Sequence, residues 1–209
     1  MSDSSRTSRV VPAVLGWALS LWFACGLAVV VAAISAFPAL SSRGVIVPGH
    51  EILAAADPAA SGRLAAGFVM DRVFGVTDLA QWLLAPIAFG VAVFCWRRLA
   101  GRPGGRLAVI VAILVAAGLV LASIHNLSIA PAMQASLATY RELLRAGDLE
   151  SALAVRDGFE ATHVLADRLY GFRMLAVGLA LPLALILPGL PTRPRSHMAR
   201  AAEPARGTP

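Results

Sequence analysis

The sequence predicts an all-α protein: a four-helix transmembrane bundle whose second, third and fourth helices extend beyond the outer membrane face. Three observations lead there. Of 209 residues, 58% are hydrophobic and 14% charged, with a mean hydropathy of +0.73, outside the range of soluble globular domains. Four apolar runs are each long enough for the ~20 residues that a membrane helix needs. Residues 96–106 join the second run to the third and carry four arginines and no acid. Short basic loops stay on the cytoplasmic side, so this turn sets the threading, with Trp96 placed as an interfacial aromatic.

The net charge of +6 comes from arginines clustered beside apolar runs, the pattern of a topology signal rather than of a nucleic-acid surface. Residues 1–9, rich in Ser and Arg, read as a disordered cytoplasmic tail. The first helix is expected over about 12–39, with Pro12 in its first turn and Pro38 at its end. No charge interrupts Val10 to Leu40, a stretch too long for a secretory signal core, so it reads as an uncleaved anchor. Ala24, Ala28, Ala32 and Ala36 form a small-residue stripe on which another helix could pack.

Residues 43–56 read as an external loop whose Arg43, His50 and Glu51 face solvent. Asp57-Pro58 then starts the second helix, Asp as N-cap and Pro at the first helical position. It is expected over 58–98, roughly 60 Å long, twice the hydrocarbon thickness, with a kink at Pro86. The third helix spans about 106–146 and turns polar after Ala122. Gly147-Asp148 closes it and caps a fourth helix over 149–187, kinked at Pro182. Ala108, Ala112 and Ala116 on the third and Ala176, Ala180 and Ala184 on the fourth repeat the stripe. Residues 189–209 read as a second cytoplasmic tail. The cytoplasmic segments then hold ten arginines against two acids, and the outer ones eight against ten.

Counting about 20 residues outward from Arg98, Arg106 and Gly189 brings Asp78, His125, Asn126 and Tyr170 to a common height. Asp71, Met133 or Gln134, and His163 meet about seven residues further out. Helical periodicity turns His163 inward with Ala152, Val155, Phe159, Ala166 and Tyr170. It turns His125 inward with Ala132, Ser136, Thr139 and Leu143, and Arg141 outward. The inner half has almost no hydrogen-bonding side chains, so the candidate ligand site is Asp71, Asp78, His125, Asn126, His163, Tyr170 and Arg173. Ionisable groups at membrane depth are functional candidates by default; the competing reading is that the histidines are core residues and the aspartates pair with Arg72, Arg168 or Arg173.

No metal-ligand spacing, nucleophile elbow or phosphate-cradling loop occurs, so no metal, cofactor or catalytic residue is assigned. Cys25 and Cys95 sit at different depths and read as small apolar side chains. Phe37-Pro38, Gly62 to Phe68, Ile129-Ala-Pro131-Ala-Met133 with Arg141, and Phe159-Glu-Ala-Thr-His163 together resemble the transmembrane protein 205-like family. The resemblance covers roughly residues 14–188 and implies a domain of four membrane helices with no established reaction. The expected protein is a non-enzymatic binding or interaction protein acting through its outer-face helical extensions, in the plasma membrane, the inner membrane of a bacterial cell, with both termini cytoplasmic. Its partners are the bilayer and another protein or a second copy. The alternative is a small transporter or ion-handling protein, which requires a wet cleft descending past His125 toward Ala117.

Overall fold

The computed structural model describes residues 3–102 and 104–189, and no strand occurs among them. In chain order the helices are α1 (Asp3–Ser41), α2 (Glu51–Ala56), α3 (Pro58–Leu99), α4 (Gly105–Ile124), α5 (Ala130–Ala146) and α6 (Leu149–Ile186). A π-helical turn, His125–Ile129, joins α4 to α5, and a single 3₁₀ turn, Leu187–Gly189, follows α6. Helices α1, α3, α4 and α6 close a four-membered ring in which each packs on its two neighbours, and α5 continues α4 along α6. Four helical segments are long and apolar enough to cross a membrane. Their outward surface is apolar too: Trp17, Val76, Ile113 and Phe172 are all exposed, Val76 at 72%. Water does not tolerate so continuous an apolar surface, and lipid does.

Several local features differ from the sequence reading. Residues 3–9, expected as a disordered tail, continue α1 as helix, and Pro12 and Pro38 both lie inside it. A proline removes one backbone hydrogen bond and bends a helix; it ends one only where the neighbouring bonds also fail. Residues 190–209, expected as the second tail, lie outside the described residues. The loop after α1 does not simply face solvent. His50 is buried edge-on against the Phe68 ring, with Nδ1 3.1 Å from the Pro48 carbonyl oxygen, and Leu53 of α2 is buried with it.

The caps follow from the residues that make them. The Asp57 carboxylate accepts the Ala60 N–H at 2.9 Å, with Pro58 in the first turn of α3. Gly147 ends α5 with a left-handed φ of 81°, a conformation that costs a side-chain-bearing residue about 1–2 kcal/mol. The Asp148 carboxylate then accepts the Ser151 N–H at 3.1 Å and starts α6.

Two apolar cores lie at opposite ends of the bundle. The one at the basic end, beside residues 100–104, buries Leu15, Leu19 and Trp22 of α1, Ala85, Ala88, Ala92 and Cys95 of α3, Val111 and Val115 of α4, and Val177, Ala180 and Ala184 of α6. Steps of three and four residues recur on every helix, the seam of a left-handed coiled bundle. The alanines let backbones approach, and dispersion between them replaces the hydrophobic drive that lipid cannot supply. The stripe Ala24, Ala28 on α1 is not part of the seam, since both face outward. Gly26 makes the close approach there: a Cβ on it would meet the Met174 sulfur and the Tyr170 hydroxyl of α6. The far core unites Leu53 of α2, Ala60 and Leu64 of α3, Tyr140 and Leu144 of α5, and Ala152 of α6.

At Gly62 the start of α3 crosses the end of α1 backbone to backbone, where a Cβ would collide with the Leu40 carbonyl. Neither chain can yield there without moving a helix. Gly62→Val is therefore expected to cost at least about 3 kcal/mol, the upper end of ordinary overpacking. Gly67→Ala, with open space at its Cβ, should be neutral or stabilising by up to ~1 kcal/mol; thermal unfolding in detergent reads both.

The Ser151 hydroxyl and then its N–H hold the Asp148 carboxyl below its usual range. A depressed folded pKa means that this stabilisation is complete above the unfolded value of about 3.9 and is lost as pH falls through the folded one. Asp148→Ala should lower the unfolding temperature at pH 7, and the gap to the wild type should narrow by pH 3.

Candidate functional site

Between the two apolar cores lies a polar layer. Its shape depends on the π-helical turn, where the Ala130 N–H reaches the His125 carbonyl. Pro131 explains the turn: in an α-helix its ring would strike the carbonyl of Leu127, and widening the turn avoids the clash. The extra residue rotates everything downstream by about 100°. The inward face of α5 therefore moves one position along the sequence. Ala132 and Thr139 are exposed, whereas Met133, Leu137, Tyr140 and Leu144 turn inward.

The same rotation corrects the placement of Arg141. Expected to face outward, it turns toward α3, where its Nη2 lies 2.7 Å from Asp71 Oδ2 and its guanidinium sits 4.0 Å over the Phe68 ring. Asp71 is therefore held in an ion pair at the half-exposed edge of the bundle. His163 lies half-exposed on α6, stacked on Phe159 with ring centroids 5.6 Å apart. Its Nε2 is 3.7 Å from Asp167 of the same helix. No hydrogen bond joins Asp71 or His163 to the remaining candidates among the described residues.

Those remaining candidates do gather. Asp78 of α3, His125 at the end of α4 and Arg173 of α6 lie within electrostatic range of one another. Tyr170 donates its hydroxyl proton to the Gly26 carbonyl at 2.6 Å, tying α6 to α1. Its ring lies 4.5 Å from the Arg173 guanidinium carbon. Arg173 is 1% exposed, and Nε, Nη1 and Nη2 all lack a hydrogen-bond acceptor. The Tyr170 hydroxyl is beside the guanidinium but outside hydrogen-bonding geometry, and Asp78 is too distant for an ion pair. Asn126 Nδ2 and His125 Nδ1 are buried and unpartnered as well.

Two members were missed from sequence. Gln81 is 0% exposed, and both its amide oxygen and its nitrogen lack partners. Trp22, also fully buried, packs its indole ring against Gly118 and leaves Nε1–H unpartnered. A signal for Gln81 was present: stepping back from Cys95, Ala92, Ala88 and Ala85 at alternating three and four residues lands on it. The same stepping on α6, from Ala184 through Ala180 and Val177, lands on Arg173. Each unsatisfied buried donor costs about 1–3 kcal/mol, and a buried unpaired cation more.

Toward the basic end the layer is closed. Ala122, Gly118, Val115 and Val111 descend from His125 as a buried apolar seam, and Ala117 faces outward. Among the described residues no three His, Cys, Asp or Glu side chains come together to hold a metal ion.

Because the Asp71–Arg141 pair fastens α5 to α3 across the layer, a double-mutant cycle with Asp71→Asn and Arg141→Met is expected to give a coupling of about 1 kcal/mol. A coupling near zero would leave the cation on Phe68 as the whole contribution of Arg141.

No family model, curated protein or solved structure matches the chain.

Proposed function

We propose that this multi-pass membrane protein is a non-enzymatic binding protein whose ligand or partner is received at the polar layer from the outer side. The observation that carries this reading is the set of buried, unpartnered donors on Gln81, Asn126 and Arg173 between two apolar cores. A fold in lipid has no water to satisfy such groups, so their retention fits a role in binding. In this reading the basic turn lies in the cytoplasm with both termini, and the protein resides in a plasma membrane, the inner membrane of a bacterium. The far ends of α3, α5 and α6, with α2 on top, project outside. Helix lengths support the projection: α3 has 42 residues, roughly 63 Å against a hydrocarbon core of ~30 Å. The resemblance to the transmembrane protein 205-like family fits this architecture and adds no reaction.

Binding is favoured over transport by the dry seam below His125, which offers an ion no polar step toward the basic end. A cysteine-free variant carrying Asn126→Cys should react with an impermeant maleimide added outside intact cells, and one carrying Ala85→Cys should not. Gly104→Cys should react only after the membrane is opened. Liposomes containing the protein and a pH-sensitive dye should show no protein-dependent leak. A leak abolished by His125→Ala would replace binding with transport, and labelling of Gly104→Cys from outside would invert the orientation.

A further inference from the structure

Resting on the reading of the polar layer as a binding site, we propose that it receives a singly charged oxyanion, a carboxylate or phosphodiester group, held by Arg173 and Gln81 at membrane depth. Most of the unpartnered atoms of the layer are donors, and His125 Nδ1 takes either role with its tautomer. Arg173 contributes its whole guanidinium, Trp22 an indole N–H, Asn126 an amide nitrogen, and Gln81 an amide nitrogen beside its one acceptor oxygen. Arginine and indole have no acceptor capacity at all. A set composed this way is complementary to a group that only accepts, and a planar guanidinium matches the two oxygens of a carboxylate or phosphodiester in a bidentate fork.

The position of Arg173 strengthens the case. It lies 13 residues before the end of α6 at Ile186, which the turn Leu187–Gly189 extends, about 25 Å from the basic end and hence about 5 Å beneath the outer edge of the hydrocarbon. Its side chain is enclosed rather than stretched to an interface, so it does not escape the penalty by snorkelling. One turn inward, Val177 and Trp22 with Gly118 seal the layer. The ligand must therefore arrive past Asp78 and His125, from the far side or laterally from the outer leaflet. Asp78, within electrostatic range of Arg173, disfavours a second negative charge on the ligand. That selects a carboxylate or a phosphodiester over a phosphate dianion.

The test uses the full chain, stripped of lipid in a neutral maltoside detergent, with thermal unfolding as the readout. Octanoate represents a free acid and phosphatidylglycerol a bilayer lipid; octanol and diacylglycerol are their uncharged counterparts. One anion or both should raise the unfolding temperature of the wild type, and which of them does so identifies the source. Arg173→Met should remove the rise, Gln81→Leu should weaken apparent affinity about tenfold, the loss of one charge-assisted hydrogen bond, and Asp78→Asn should tighten it. Gln81→Leu, which keeps every charge, carries the test if Arg173→Met does not fold.

An equal rise with octanol and octanoate, retained in Arg173→Met, would keep the layer as a binding site and overturn the oxyanion. Should Asp78→Asn destabilise the protein and abolish the anion response, Arg173 would be an internal partner of Asp78 and the proposal would fall. No rise with any of the four compounds would overturn it as well.

Discussion

In hydrocarbon every polar group must find its partner within the protein, and this single constraint orders the whole molecule. The backbone satisfies it by closing its hydrogen bonds inside helices, which leaves side chains to decide how the helices assemble. At the basic end they do so with alanine, valine and leucine, chosen for close approach rather than for burial from water. At the far end a second core of similar character gathers the ends of α3 and α5, the start of α6 and the short α2. Between them the constraint is broken. Arg173 and Gln81 are buried without hydrogen-bond partners, and neither apolar core includes them. An apolar residue of similar volume would satisfy the seam at lower cost.

The π-helical turn shows how one residue can reposition a site. Pro131 lies outside the polar layer, and its effect is geometric: the widened turn places His125 and Asn126 at the end of α4 and rotates α5 by one position. Arg141 thereby reaches Asp71, and the ion pair with the cation over Phe68 fixes α5 against α3. Without the rotation Arg141 would face away and Asp71 would lose its partner.

Much of the architecture was legible because it is written in composition and spacing. Four long apolar runs, the basic turn, the Asp57-Pro58 cap and the Gly147-Asp148 reversal are local signals with local causes. The candidate site was legible only in part. Counting residues set Asp78, His125, Asn126 and Tyr170 at one height, since depth is nearly linear along straight helices, and Asp78 does lie within electrostatic range of His125 and Tyr170. Arg141 could not be placed, because straight-helix counting assigns no extra residue to a turn strained by proline. Gln81 and Trp22 escaped for another reason. Attention to ionisable residues passes over a neutral amide and an indole, although the alternating seam pointed to Gln81. His50 was read as solvent-facing from its neighbours in the chain, yet Phe68, eighteen residues on, supplies the surface that buries it.

The distribution of unpartnered groups also separates structural from functional polarity. Asp57, Asp148 and Tyr170 are polar and satisfied, each with a local partner that accounts for its presence in a cap or a helix crossing. Asp71 and Arg141 pair through Nη2, which leaves Arg141 Nε without an acceptor. Of the remainder, Trp22, Gln81, His125, Asn126 and Arg173 belong to α1, α3, the π-helical turn and the inner part of α6, while His50 Nε2, Arg156 Nε and His163 Nδ1 lie further out. A stable membrane fold can carry one such group at modest cost, but several together near a buried guanidinium draw heavily on a marginal stability of about 5–15 kcal/mol. An acceptor supplied from outside the chain, as proposed, would offset that cost.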